Sequence, residues 1–291
     1  MRSQKTLGEA ARMKSVPATF WVLLISIVVV SVGWTIPVFS QESEGDGMKI
    51  VFLHHSTGTL IWQGGVADWF EQHNREHGTQ YDVVEQDFPR HVGNYPYDYW
   101  NIWVNHAGSE SFMGEPTLEV LTKQYDMIIF KHCFPVSDIR EDKGDPDLNS
   151  SEKRIENYRL HYRALKNKMH QFPNTIFLLW TGAARVKNIT FLEKVLSIFT
   201  GKSPTEESAR RAKTFFDWVR SEWDEAGDNV YLWDFYELET EGGLYLRSEY
   251  AESPSNSHPN KAFSEKVAPL LCQRIVDVIE GRGDSSTITG E

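Results

Sequence analysis

Residues 49–58 read KIVFLHHSTG, an apolar run that stops at two histidines, a serine and a glycine. Ile50, Val51, Phe52 and Leu53 follow one another with no polar residue between them. A half-exposed strand would alternate; an unbroken run fits a strand covered on both faces of a parallel sheet. Open parallel sheets bind ligands in the crevice beyond the carboxyl ends of their strands. Ser56 is therefore expected where such folds hold reactive groups. His54 and His55 are adjacent, and adjacent strand residues point to opposite faces. Only one of them is expected to face the same site as Ser56, the other being packed or bonded to backbone.

Working outward, strands and helices alternate. Ile61 to His77 places Val66, Trp69 and Phe70 at helical spacing and stops at Gly78, a common C-terminal cap. Tyr81 to Phe88 reads as a second strand, Tyr125 to Lys131 as a third, Thr175 to Trp180 as a fourth and Val230 to Trp233 as a fifth. Helices are expected over Glu152 to Gln171, from the Ser203 cap onward, and over Lys261 to Glu280 with Pro269 as a kink. Five strands separated by helix-length segments imply right-handed crossovers and a three-layer α/β/α sandwich around a mostly parallel five-stranded sheet. Between Pro89 and Pro116 lies an aromatic loop with Tyr95, Tyr97, Tyr99, Trp100 and Trp103. These rings fit either a platform stacking on a sugar or acyl group or a packed core.

The chain has 291 residues and a net charge of −11. Residues 1–40 hold Arg2, Lys5, Arg12 and Lys14 against Glu9, a net of +3, which leaves −14 on the rest. So acidic a domain is a poor partner for nucleic acid or anionic lipid. No charge occurs from Ser15 to Gln41, and Phe20 to Val32 is an apolar centre behind a basic start. Residues 1–40 read as an export signal or membrane anchor, 41–47 as a linker, 48–282 as the domain and 283–291 as a polar tail. The domain is thereby expected outside the cytoplasm, secreted or membrane-anchored. Cys133 and Cys272 allow one disulfide or two free thiols.

The last polar cluster, Ser255-Asn256-Ser257-His258-Pro259-Asn260, precedes the closing helix. Taken with Leu53-His54-His55-Ser56-Thr57-Gly58, it resembles the SGNH (GDSL-type) hydrolases, as a divergent branch bearing HHSTG. The resemblance implies a flavodoxin-like fold, Ser56 as nucleophile and His258 as general base. That superfamily's usual aspartate, three residues before the histidine, is Ser255 here, while Asn256 lies two before it. Asparagine can hold a ring nitrogen but does not offset an imidazolium as an anion does; Glu252 is the other candidate partner. Among oxyanion donors, the resemblance implies the Ser56 N–H and Gly93 of His91-Val92-Gly93-Asn94. The superfamily's third donor, an asparagine, has no match in His132 to Asp138, where Ser137 or the His132 ring would stand in. Gly58, Gly93, Asn94 and Ser137 are thus the candidate oxyanion or substrate contacts.

A hydroxyl is a weak nucleophile at neutral pH, and a histidine within reach activates it. The expected activity is that of an exported serine esterase-like hydrolase, or an acyltransferase, acting on a small ester or an O-acylated carbohydrate, with no cofactor. Two other readings use the same residues. The domain can bind a cell-envelope glycan without cleaving it. Alternatively, His54 or His55 with His132, His258 and Asp138 can hold zinc, although no close-spaced pair such as HExxH is present.

Overall fold

The computed structural model describes residues 47–201 and 203–291. The apolar run Phe20 to Val32 and residues 41–46 of the linker lie outside the described residues. Among the described residues no helix is long and apolar enough to cross a membrane.

The unbroken apolar run becomes β1 (Met48–His54), flanked by β2 (Tyr81–Asp87) on one side and β3 (Met127–Phe130) on the other. With β4 (Ile176–Trp180) and β5 (Val230–Trp233) the sheet runs β2-β1-β3-β4-β5, every pair parallel. This is the flavodoxin-like order, whose direction reverses between β1 and β3. Ile50 to Leu53 and Met127 to Phe130 are buried, whereas β2, at the edge, alternates.

Successive strand residues feed opposite cores. Ile50, Phe52, Met127, Ile129, Leu178 and Trp180 pack under α1 (Thr57–Gln63), α2 (Val66–His77) and α9 (Lys261–Ile279). Val51, Leu53, Ile128, Phe130, Phe177 and Leu179 pack under α3 (Pro96–Trp100), α5 (Ile155–Met169) and α7 (Pro204–Trp218). The three-layer sandwich read from the sequence is the observed architecture.

The structure departs from expectation in particular places. The helix expected over Ile61 to His77 is two helices, α1 and α2, broken at Gly64 and Gly65. A Cβ on Gly64 would lie 2.5 Å from the Ser264 carbonyl oxygen, so the bare backbone lets α1 approach α9. The aromatic stretch is no loop: α3 continues into a π-helical turn, Asn101–Asn105. There Tyr99 and Trp103 pack on Phe88 and Phe130, and Trp100 is buried as well. Those three rings are core, not a sugar platform.

Pro269 leaves α9 unbroken, because Pro269 and Glu265, whose carbonyl loses its helical donor, both face solvent. Three short helices, α4 (Leu118–Leu121), α6 (Phe191–Thr200) and α8 (Phe235–Thr240), appear where no element was expected, as does a hairpin, β6 (Ala251–Ser253) with β7 (Asn256–Pro259). The expected polar tail is bound to the domain. Arg274 is buried and donates to Leu232 O, Gly283 O and Ser286 Oγ, while Trp233 Nε1 donates to Thr289 O and Asp234 N–H to Ile288 O. A buried guanidinium needs acceptors, and the tail supplies them. Cys133 and Cys272 are free thiols, Cys272 lying in the core beneath α9.

Trp180 ties one core together, with its ring 4.9 Å from Phe52, 4.5 Å from Trp233 and 5.1 Å from Phe235. Trp180→Ala is expected to cost about 3–5 kcal/mol through lost burial and a cavity. A urea melt checks this: the midpoint should fall with little change in slope.

Candidate active site

Past His54 the chain turns at once into α1. Gly58 N–H donates to His55 O at 2.9 Å and Leu60 N–H to Ser56 O at 3.2 Å. A Cβ on Gly58 would stand 2.4 Å from His54 Cβ, so only glycine lets the helix start this close to the strand end. Ser56 absorbs the reversal with φ 52° and ψ −101°, a conformation that costs an L residue about 1–3 kcal/mol. It is exposed at the sheet edge.

The hairpin carries His258 to the same edge. Ser56 Oγ and His258 Nε2 are in hydrogen-bond contact across 202 positions of sequence. On the other side of the ring, His258 Nδ1 is 2.7 Å from Asn256 Oδ1, and the same oxygen accepts the His258 backbone N–H at 3.2 Å. That second bond decides the amide's orientation, because a backbone N–H needs the oxygen and not the NH₂. Nδ1 therefore carries the proton, and the Nε2 lone pair faces the serine hydroxyl. Burial, and then the charge of Lys131, lower the His258 pKa below its ordinary 6.5, while Glu252 pulls it back upward. At pH 7 the ring is a neutral base. The Phe134 ring meets it edge-on at 5.2 Å, and the Arg185 guanidinium lies 5.0 Å from the Phe134 centroid.

The other expected residues fall elsewhere. Neither neighbouring histidine hydrogen-bonds Ser56. His54 is buried with Nε2 2.9 Å from Glu85, its pKa lowered to about 3 by burial and the charges of Lys131 and His55. His55 contacts Pro89 O. Gly93 lies beside the Asp98 carboxylate, which accepts Tyr95 N–H at 3.0 Å, and Gly58 N–H goes to His55 O. Asn94 is a brace, donating to Phe88 O at 3.0 Å and accepting Cys133 N–H at 2.6 Å. Ser137 donates to Ala183 O at 2.7 Å. His132 is buried between Tyr99 and Tyr162. Asn94 and Ser137 are thus spent on holding loops together, while the buried His132 ring nitrogens meet no hydrogen-bond partner among the described residues. The Ser56 N–H, by contrast, meets no acceptor among the described residues.

Glu252 is exposed and Ser255 does not bond the ring, so Asn256 is the orienting group. The zinc set does not assemble: His132 is in the core, and Asp138 pairs with Arg185. Among the described residues no three His, Cys, Asp or Glu side chains converge as metal ligands.

Two features escaped the sequence reading. A cavity of about 370 Å³ adjoins the hairpin, lined by Ser255, Ser257, Arg185, Asn188, Tyr236 and Tyr245 among others. The Tyr245 hydroxyl is buried there without a partner. Lys131 is the second: a buried charge at the end of an apolar strand, and a lysine closing such a run was the available signal.

No protein-family model and no curated protein matches the chain. Among solved structures, the chain is similar to an acetyl xylan esterase at 16% identity and TM-score 0.43, covering 76% of this chain and 96% of that one. A gut microbial diltiazem-metabolizing enzyme is similar at 12% identity and TM-score 0.38, covering 81% of this chain and 47% of the other. A carbohydrate esterase family 2 enzyme with its carbohydrate binding domain, from Corynascus thermopiles (Myceliophthora fergusii), is similar at 9% identity and TM-score 0.39, covering 81% and 68%.

Proposed function

We propose that the domain is a serine esterase-like hydrolase of SGNH type, acting outside the cytoplasm on O-acylated carbohydrates or comparable small esters. The observation that carries this reading is the contact of the Ser56 hydroxyl with His258 Nε2 on an exposed sheet edge. The two HHSTG and SHPN segments that resemble the superfamily are the ones that meet.

In the proposed reaction Ser56 Oγ attacks the ester carbonyl while its proton passes to His258 Nε2. The resulting oxyanion takes the Ser56 N–H. His258 then gives that proton to the departing alcohol oxygen, the C–O bond breaks, and the acyl group stays on Ser56. A water repeats the sequence, losing its proton to His258 and releasing the carboxylic acid; a sugar hydroxyl in place of water gives acyl transfer. Asn256 keeps the Nδ1 proton in position throughout. The cavity against the hairpin mixes Ser255, Ser257, Asn188 and two tyrosines with Val186 and Leu244, and neither Ser56 nor His258 lines it.

Full-length protein treated with a fluorophosphonate should be modified at Ser56, located by mass spectrometry, and His258→Ala should abolish the adduct. Ser56→Ala and His258→Ala should each slow p-nitrophenyl acetate hydrolysis by at least about 10³-fold. An unlabelled, inactive wild type would instead favour a glycan-binding role.

Because the base works only when unprotonated, kcat/KM should rise with pH through the lowered His258 pKa and reach its plateau by neutral pH. Asn256→Asp places an anion on the ring, which favours the imidazolium. The acid limb should move to higher pH and the plateau rise about 10- to 100-fold. The gain stays well short of the roughly 10⁴ associated with a wrong tautomer, since the proton already sits on Nδ1. A pH–rate series on both proteins tests this, and an unmoved limb would count against Asn256 as the partner.

A further inference from the structure

Lys131 follows β3 directly and its side chain is fully buried. Its Nζ donates to His55 O at 3.1 Å and stands 3.8 Å from Cys133 Sγ. Among the described residues no carboxylate is ion-paired with it. Glu239, on α8, is the carboxyl in its field, but burial pushes the Glu239 pKa to about 8 despite the N–H that Ala184 donates. At pH 7 that carboxyl is largely protonated and does not neutralise Lys131. Burial lowers the Lys131 pKa, with Cys133 and Glu239 pulling it back upward, and a buried lysine amine at a strand end is costly in either protonation state.

The carbonyl that Lys131 holds belongs to the peptide whose N–H is the Ser56 N–H. His55 O accepts from both Lys131 and Gly58, so both of its lone pairs are engaged. A cation on a peptide oxygen draws density from its nitrogen and strengthens the N–H as a donor. The same bond pins the carbonyl direction that leaves Ser56 at φ 52°.

Resting on the serine-hydrolase reading, we propose that Lys131 is a positioning residue that acts through the His55–Ser56 peptide, aiming and strengthening the Ser56 N–H toward the oxyanion. It reinforces the Ser56 amide at a site where the Gly58 amide and the side chains of Asn94 and Ser137 are bonded elsewhere. A preorganised donor aimed where the anion develops is a principal means of stabilising it. Its field also reaches the base and disfavours protonation of His258.

The test uses the full chain with p-nitrophenyl acetate as substrate. Lys131→Met should lower kcat about 10²-fold, the scale of one lost oxyanion donor, with KM changed by less than about threefold. The acid limb of kcat/KM should move to higher pH, because the imidazolium is no longer repelled. Lys131→Gln can still donate to His55 O but carries no charge, so it should lose less kcat while showing the same limb shift. The other titratable groups facing the pair remain in place: His54 at the end of β1 and His55 beyond it, His132 and Cys133 beyond β3, Glu239 on α8 and Glu252 on β6. Folding is checked by circular dichroism and thermal melting, and Lys131→Gln decides if the methionine variant does not fold. Wild-type protein that resists the fluorophosphonate at Ser56 would sink the hydrolase reading itself. Labelled wild type with kcat and acid limb unchanged in a folded Lys131 variant would overturn this inference alone.

Discussion

Everything at the candidate site depends on the abrupt way β1 ends. Gly58 lies against His54 so closely that a methyl group would not fit, and α1 therefore begins three residues past the strand. No ordinary right-handed or extended conformation closes so short a turn. Ser56 takes the strain instead, and its side chain is left exposed at the rim while Thr57 and Gly58 are buried. Strain of this kind persists only where surrounding packing over-determines it. Here the covering comes from Ile61 in the α2–α9 core and from two braces, Asn94 joining the β2 and β3 ends and Lys131 joining the β3 and β1 ends.

A base held by an amide differs from one held by a carboxylate in what it can stabilise. Asn256 secures the tautomer through a backbone bond that asparagine at a different position would not have. It does so without adding negative charge beside the ring. The site edge is thus less acidic than the domain around it: Lys131 is buried there uncompensated, and Arg185 sits over the ring that packs on His258. For chemistry that develops an oxyanion, this charge balance is favourable. For stabilising an imidazolium it is not, so the base is weak and the developing anion is where the site spends its charge.

The sequence by itself determined the sheet and the two ends of the site. Long apolar runs such as Ile50 to Leu53 and Ile176 to Trp180 have one physical use, a strand buried on both faces, and their alternation with helical patterns leaves few topologies. The β5 bounds, the Ser203 cap, and the positions of Ser56 after the first apolar run and His258 before the closing helix were legible for that reason. Short elements without periodicity were not. The hairpin of β6 and β7 is three and four residues long, too brief to leave a pattern, although it delivers the histidine.

Only the tertiary structure decided which polar groups were free to react. Asn94 and Ser137 are the right residue types in the right segments, yet each has its hydrogen-bonding capacity spent within the fold, on Phe88 and Cys133 and on Ala183. A buried polar group takes whatever partner packing brings near; Cys133 stands 39 positions from Asn94 and Ala183 stands 46 from Ser137. The same holds for the aromatic stretch, where Tyr99 and Trp103 became core because α3 turns them toward Phe88 and Phe130. Composition names the donors and the rings; three-dimensional packing determines which of them remain unspent.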